Sequence, residues 1–122
     1  MKIAITATDQ NIDANVDPRF GRCAFFIIYD TDTKDTKVIE NASRNAMGGA
    51  GIQAAQSVSN EKVEAVITGN IGPNAFRVLS SAGIKVYTGI SGSIKNAIES
   101  YNKNDMDSTS GPNVKSHFGT NQ

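Results

Sequence analysis

The chain has 122 residues, of which 39% are hydrophobic and 20% charged, which is enough apolar sequence for one domain-sized core. Its 12 basic and 12 acidic side chains cancel, so the basic patch typical of nucleic-acid or anionic-lipid binding is not expected. No apolar stretch approaches the ~20 residues of a membrane span, and Asp9 comes too early for a signal peptide. A lone cysteine, Cys23, cannot form an internal disulfide, so we expect a reducing cytoplasm.

The first third of the chain predicts an antiparallel β-meander. Residues 2–7 alternate isoleucine with smaller side chains and predict a first strand. Residues 24–30 are apolar on both alternating faces, which indicates a second strand covered on both sides. After a polar turn at residues 32–35, residues 36–41 are more polar and typical of an edge strand.

From residue 49 onward, helices and strands alternate. The predicted elements are helix 49–60, strand 64–68, helix 73–82, strand 84–87 and helix 93–101. Pro73 is typical of a first helical turn and Gly83 of a helix end, so these two residues define the predicted bounds of the middle helix. The sequence therefore predicts one α/β domain over residues 1–103, in the order β-β-β-α-β-α-β-α, followed by a flexible polar tail over residues 104–122.

Three glycine-rich segments, residues 47–51, 69–74 and 89–93, each open a predicted helix. Parallel strands bring such turns to one edge of a sheet, where open α/β folds bind ligands. Glycine permits close backbone approach, and each helix start offers unpaired N–H groups and a positive dipole end. The pattern favours an anion site, although tight turns alone also explain each glycine. Neither GxGxxG nor GxxxxGK[ST] occurs.

The segment DPRFGRC, residues 17–23, places two guanidinium groups beside the only thiol. Arginine forks bind oxyanions or sulfides, and the two nearby charges are expected to lower the pKa of Cys23 and favour a metal-ligating thiolate. Alternatively, the arginines are solvated and Cys23 is a small apolar residue. His117 in the tail is a second candidate metal ligand, with simple solvation as its alternative.

No catalytic set accompanies these donors. The sequence has no CxxC, no HExxH and no Ser/His/Asp arrangement on a plausible scaffold. A general base near the glycine-rich segments is also missing, although catalysis normally requires one. We therefore expect that the protein is not an enzyme.

Four motifs together resemble the dinitrogenase iron–molybdenum cofactor biosynthesis family, in order and at the right spacing over residues 1 to 101. They are PRFGRC at 18–23, GGAGIQAA at 48–55, GNIGPNA at 69–75 and AGIKVY at 82–87. The resemblance implies a ribonuclease-H-like three-layer α/β/α fold with a five-stranded mixed sheet, its first three strands antiparallel. Known members include carriers of the nitrogenase cofactor or its precursors, and small relatives that hold molybdenum-containing sulfide clusters without covalent attachment.

The resemblance implies a non-enzymatic carrier for an anionic metal–sulfur cluster, either FeMo-cofactor-like or a Mo/Fe/Cu sulfide. Expected partners are the cluster and its donor and acceptor proteins, with no nucleic acid and no membrane, and the protein is a monomer or weak homodimer. The expected cofactor-binding residues are Arg19, Phe20, Gly21, Arg22, Gly48, Gly49, Gly51, Gly69, Asn70, Gly72 and Asn74; the expected metal ligands are Cys23 and His117. The alternative is a regulatory or partner-binding domain that uses the same surface without a cluster.

Overall fold

A computed structural model describes residues 1–109 and 111–112. Its elements are β1 Lys2–Ala7, β2 Phe25–Asp30, β3 Thr36–Glu40, α1 Ala50–Ser59, β4 Ala65–Ile67, α2 Pro73–Ser81, β5 Lys85–Tyr87 and α3 Ile94–Asn102. The predicted order β-β-β-α-β-α-β-α is confirmed, and the observed boundaries lie within about one residue of the predicted ones.

The strands form one mixed five-stranded sheet in the order β3-β2-β1-β4-β5. The strand β1 is antiparallel to β2, with Ile5 opposite Ile27, and parallel to β4, with Ile5 beside Ile67. Because β5 is also parallel to β4, the carboxyl ends of β1, β4 and β5 lie at one edge of the sheet. The sequence predicted this edge as the place where the glycine-rich segments meet.

Apolar cores on both faces of the sheet make the fold three-layered. Successive residues of β2 point to opposite faces, so Ile28 packs into the core that contains Val58 of α1 and Leu79 of α2, while Ile27 packs with Ile94 of α3. The predicted ribonuclease-H-like α/β/α fold is thereby confirmed. Among the described residues, none of the helices combines the length and the apolar character that crossing a bilayer requires.

The first part of the predicted tail packs on the domain. Asp105 N–H donates to Ser100 O at 2.9 Å, and the half-buried Met106 contacts the core on the α3 side of the sheet. Thr109 N–H donates to Val86 O at 2.7 Å, so the chain covers the outer edge of β5. The predicted metal ligand His117 lies outside the described residues.

Candidate anion-binding site

A cavity of about 60 Å³ lies beside the carboxyl end of β4, between the segment 17–23 and the first turns of α1 and α2. Its lining residues are Phe20, Gly21, Gly49, Ala50, Gly51, Ile52, Gly72, Pro73, Asn74 and Ala75. None of these side chains titrates, and most are glycine, alanine or proline. The polar surface that they offer is therefore mainly backbone.

Helix α1 begins without any side-chain cap. Gly49 is its N-cap and has φ 73° and ψ 12°, a left-handed conformation that favours glycine. The first intrahelical bond runs from Gln53 N–H to Gly49 O at 2.9 Å. The N–H groups of the three residues between them, Ala50 to Ile52, therefore have no intrahelical acceptor and lie at the positive end of the helix dipole.

Helix α2 begins in a similar way on the other side of the cavity. Its N-cap Gly72 is extended and offers no side chain, and Pro73 fills the first helical position, where no N–H is needed. Phe76 N–H donates to Gly72 O at 3.1 Å, which leaves the N–H groups of Asn74 and Ala75 without an intrahelical acceptor. Two uncapped helix starts thus face one cavity.

Small residues allow these two helix starts to approach each other. A Cβ atom built on Gly51 would lie 3.4 Å from the Cβ of Ala75, and one built on Gly21 would lie 3.1 Å from the Cα of Gly51. Larger residues at Gly21 or Gly51 would force the loop and the helices apart or fill the cavity. Close backbone packing therefore favours glycine at Gly21, while at Gly51 the lack of a large side chain keeps the cavity open.

The third glycine-rich segment does not line the cavity. Helix α3 is capped by Ser93, whose Oγ accepts from Asn96 N–H at 3.1 Å. The N–H groups of Ile94 and Lys95 donate to the carbonyls of Ala14 and Ile12, at 2.9 and 3.0 Å. The expectation of three open helix starts at one edge is therefore wrong, because the chain itself satisfies the donors of α3.

Gly69 and Asn70 join β4 to the segment 17–23 and do not line the cavity. A Cβ on Gly69 would lie only 2.7 Å from Pro18 Cα, so the two backbones are packed as closely as glycine permits. Asn70 Nδ2 donates to Pro18 O at 3.0 Å, and Phe20 N–H donates to Asn70 O at 3.1 Å. These bonds fix Phe20 as a buried wall of the cavity.

The two arginines of the segment 17–23 contact their own chain. Arg22 Nη1 donates to the carbonyls of Arg44 and Ala46, at 2.9 and 2.7 Å, and so holds the loop that leads into α1. Arg19 is half-exposed, with its Nε 3.8 Å from the buried Asp17 carboxylate. Both positive charges therefore lie next to the cavity without lining it.

The expected lowering of the Cys23 pKa is wrong. The thiol is fully buried in the core and donates to Phe20 O at 3.3 Å. Burial, followed by the charge of nearby Asp17, raises the pKa of Cys23 above its ordinary value of 9.0. With its pKa raised, the thiol remains protonated at neutral pH. The guanidinium groups of Arg19 and Arg22 lie instead next to Asp17 and to backbone carbonyls.

Asn41 supports the site and was not singled out by the sequence. Its buried Nδ2 donates to Gly21 O at 3.1 Å and to Cys23 O at 3.0 Å, while its Oδ1 accepts from Ser43 Oγ at 2.8 Å. One side chain thus links the segment 17–23 to the loop before α1. The only signal in the sequence was an Asn that ends an edge strand, where side chains often bond to local backbone.

Six of the eleven predicted cofactor-binding residues line the cavity: Phe20, Gly21, Gly49, Gly51, Gly72 and Asn74. The remaining predicted residues, Arg19, Arg22, Gly48, Gly69 and Asn70, surround or support it. Ala50, Ile52, Pro73 and Ala75 complete the lining, and the sequence did not mark them because their contribution is backbone or shape. No group of three or more metal-ligating side chains occurs in the part of the chain that the structure describes.

The model of the family described as dinitrogenase iron-molybdenum cofactor matches residues 1–104. The chain belongs to this family. An uncharacterised protein of Methanocaldococcus jannaschii is 37% identical over 102 residues, which cover 81% of this chain and 83% of that one. Among solved structures, this chain is similar to the apo form of the orange protein from Desulfovibrio gigas. The TM-score is 0.90 and the sequence identity 37%, over 93% of this chain and 96% of that one.

A NifB-like protein from Thermotoga shares the fold with a TM-score of 0.78 and 34% identity, over 88% of this chain and 91% of that one. These matches cover most of this chain and most of each related protein, so the similarity to the dinitrogenase-cofactor family extends over the entire domain. The family and its neighbours indicate a small cofactor-related protein.

Proposed function

We propose that the protein is a non-enzymatic carrier that binds an anionic metal–sulfur cluster across the mouth of the cavity between α1 and α2. The observation that carries the proposal is the convergence of two uncapped helix starts on one cavity lined by non-titrating residues. Helix starts with free N–H groups are ready-made anion sites. The family description supplies the kind of anion, an iron–molybdenum cofactor or a related sulfide cluster.

The charges around the cavity support an anionic ligand. Neither α1 nor α2 has an acidic residue in its first turn, where one would compete with a bound anion. All four arginines of the sequence, Arg19, Arg22, Arg44 and Arg77, belong to the segments that surround the cavity. Guanidinium groups are permanent charges, so they attract an anion at any physiological pH.

The size of the cavity and its donors restrict how a cluster binds. About 60 Å³ holds a few water molecules and is far below the ~300–1,000 Å³ of an enclosing ligand pocket. A cluster would therefore rest one face on the backbone donors and keep its other faces exposed. Because Cys23 is buried and protonated, the cluster would bring its own sulfide ligands, and hydrogen bonds and charge would retain it.

An exposed cluster suits a carrier better than an enzyme. No lining residue can act as a general acid or base, since none of these side chains titrates. A cluster that remains accessible on one side can pass between donor and acceptor proteins in the cytoplasm. We expect a monomer or weak homodimer, with no role for nucleic acid or a membrane.

A reconstitution under anaerobic conditions tests this proposal. Tetrathiomolybdate is added with and without copper(I), unbound ions are removed, and the visible spectrum and the metal and sulfide content are measured. We expect a stoichiometric complex with new visible bands that survives gel filtration. The matched control is Gly51→Leu, whose side chain fills the cavity and should abolish the bands. Wild-type protein that retains no metal would contradict the proposal.

The alternative, a partner-binding domain that carries no cluster, is favoured by one observation. Met47, next to the cavity, has a side chain that is 103% exposed, and Arg44 in the same loop is also exposed. Exposed methionine and arginine side chains are enriched in protein interfaces. Protein purified anaerobically from its host that holds a protein partner but no metal would favour this alternative over the carrier.

A further inference from the structure

Arg77 and Asn74 form a side-chain pair on the first turns of α2. Arg77 Nη2 donates to Asn74 Oδ1 at 2.6 Å, and Asn74 lines the cavity. A guanidinium group can only donate hydrogen bonds, so the atom that faces it must be the amide oxygen. Arg77 thus determines which end of the amide is engaged.

The other end of the Asn74 amide remains available. No hydrogen bond within residues 1–109 uses its Nδ2 donors. An unrestrained amide can rotate by half a turn and present either its oxygen or its NH₂ group, and the oxygen would repel an anion. With Oδ1 held by Arg77, the side chain has only N–H donors left for a ligand.

We propose that Arg77 is a positioning residue that makes Asn74 a donor-only contact of the anion site. This inference rests on the proposed function, since the polarity of Asn74 matters only if the cavity binds an anion. The pair is exposed and three residues apart on a helix, so it contributes little to folding stability. Its effect is on the orientation of a binding group, and thereby on the preference of the site for anions over neutral ligands.

The orientation effect of Arg77 can be separated from its charge. Arg77→Gln removes the charge and retains an amide that can donate to Asn74 Oδ1; because this amide can also accept, it orients Asn74 less strictly than a guanidinium group does. Arg77→Met removes both the charge and the donor. Tetrathiomolybdate is the probe, and its dissociation constant is measured anaerobically for each variant. We expect Arg77→Gln to bind within about 3-fold of wild type, and Arg77→Met to bind about 10-fold more weakly.

A double-mutant cycle with Asn74→Ala decides whether Arg77 acts through Asn74. In the Asn74→Ala background, Arg77→Met and Arg77→Gln should bind equally, because no amide remains to be oriented. If Arg77→Met costs the same factor with and without Asn74, the effect is charge alone and the inference is overturned while the carrier proposal stands. If wild-type protein does not bind tetrathiomolybdate, the proposed function fails and the inference fails with it.

A further variant reverses the polarity of the contact. Asn74→Asp keeps a partner for Arg77 but presents acceptor oxygens to the cavity. We expect a loss of more than about 10-fold in tetrathiomolybdate affinity, without unfolding as judged by circular dichroism. An affinity equal to that of wild type would show that Asn74 does not contact the anion and would overturn the inference.

Discussion

The starts of α2 and α3 look alike in the sequence, since each follows a short strand and a pair of glycines, but the structure uses them differently. At α2 the N-cap is Gly72, no side chain accepts from the first turn, and the residues of that turn line a cavity. At α3 the N-cap is Ser93, and the carbonyls of Ile12 and Ala14 take two further donors. A glycine-rich turn therefore has donors for an anion only when the chain leaves them unpaired.

The glycines of the two regions also have different reasons to be glycine. Gly69, before α2, lies where a Cβ would meet the backbone of Pro18 at 2.7 Å. Gly89 and Gly92, before α3, have open space around them but adopt φ of 74° and 90°. Glycine is needed before α2 because two backbones pack closely there, and before α3 because the chain adopts positive φ in a turn.

The largest expected effect is on ligand binding at the first region. Gly51→Leu should place its side chain in the cavity between α1 and α2, because its Cβ already contacts Ala75. We expect tetrathiomolybdate affinity to fall more than about 100-fold, since several charge-assisted hydrogen bonds are lost together. Ser91→Leu, in the turn before α3, is the matched control and should leave affinity unchanged. Equal losses in both variants would contradict the distinction between the regions.

The next effect is on stability. Gly69→Ala forces a Cβ against Pro18, and we expect the free energy of unfolding to fall by about 2–3 kcal/mol, as for other overpacked sites. Gly92→Ala introduces only a left-handed alanine, at a cost of about 1–2 kcal/mol. Urea denaturation followed by circular dichroism measures both. A larger loss for Gly92→Ala than for Gly69→Ala would refute the packing role of Gly69.

A smaller effect is expected at the cap of α3. Ser93→Ala removes the acceptor of Asn96 N–H and should lower the free energy of unfolding by about 1 kcal/mol. Because this helix start is not part of the cavity, the affinity for tetrathiomolybdate should not change. A weaker affinity in this variant would mean that α3 belongs to the binding site after all.

The smallest effect concerns pH and Cys23. Burial raises the pKa of this thiol, so above its ordinary value of 9.0 the unfolded chain loses a proton that the folded chain keeps. Stability should therefore be insensitive to this group below about pH 8 and should fall as the pH rises above 9. Cys23→Ala should flatten that decline relative to wild type.

A control is needed for the same pH range, because the pKa of Tyr101 is also raised, by burial and by its hydrogen bond to Glu64. Tyr101→Phe separates the two groups, since the ordinary pKa of tyrosine is 10.0 and its contribution begins later. A Cys23→Ala variant whose stability declines above pH 9 as steeply as wild type would show that the thiol is not shielded.

Local patterns were sufficient to predict the elements and the shared edge of the sheet. Strand alternation, Pro73 and Gly83 are short-range signals, and parallel strands necessarily bring their carboxyl ends together. The pairing of the first N–H donors of α3 could be predicted in part. A Ser at the N-cap supplies its own acceptor, whereas α1 and α2 have Gly at that position. The hydrogen bonds from the start of α3 to the carbonyls of residues 12 and 14 could not be predicted, because they join segments about 80 residues apart in the sequence.

The depth of Cys23 and the partners of Arg22 also required the structure. A thiol next to two arginines in the sequence is expected to have positively charged surroundings. In the structure, however, the Arg22 side chain donates to the carbonyls of Arg44 and Ala46. The neighbours of Cys23 are set instead by Phe20 and Asn41, which the fold brings to it. Side-chain direction in an irregular segment depends on such non-local bonds, and periodicity carries no information about them.

Backbone amide chemical shifts, recorded by NMR during an anaerobic titration with tetrathiomolybdate and copper(I), test the central claim most directly. We predict that the largest changes occur at Ala50, Gly51, Ile52, Asn74 and Ala75, which line the cavity and whose N–H groups lack an intrahelical acceptor, while Ile94, Lys95 and Asn96 do not move. Changes centred on the start of α3, or no changes at the starts of α1 and α2, would contradict the account.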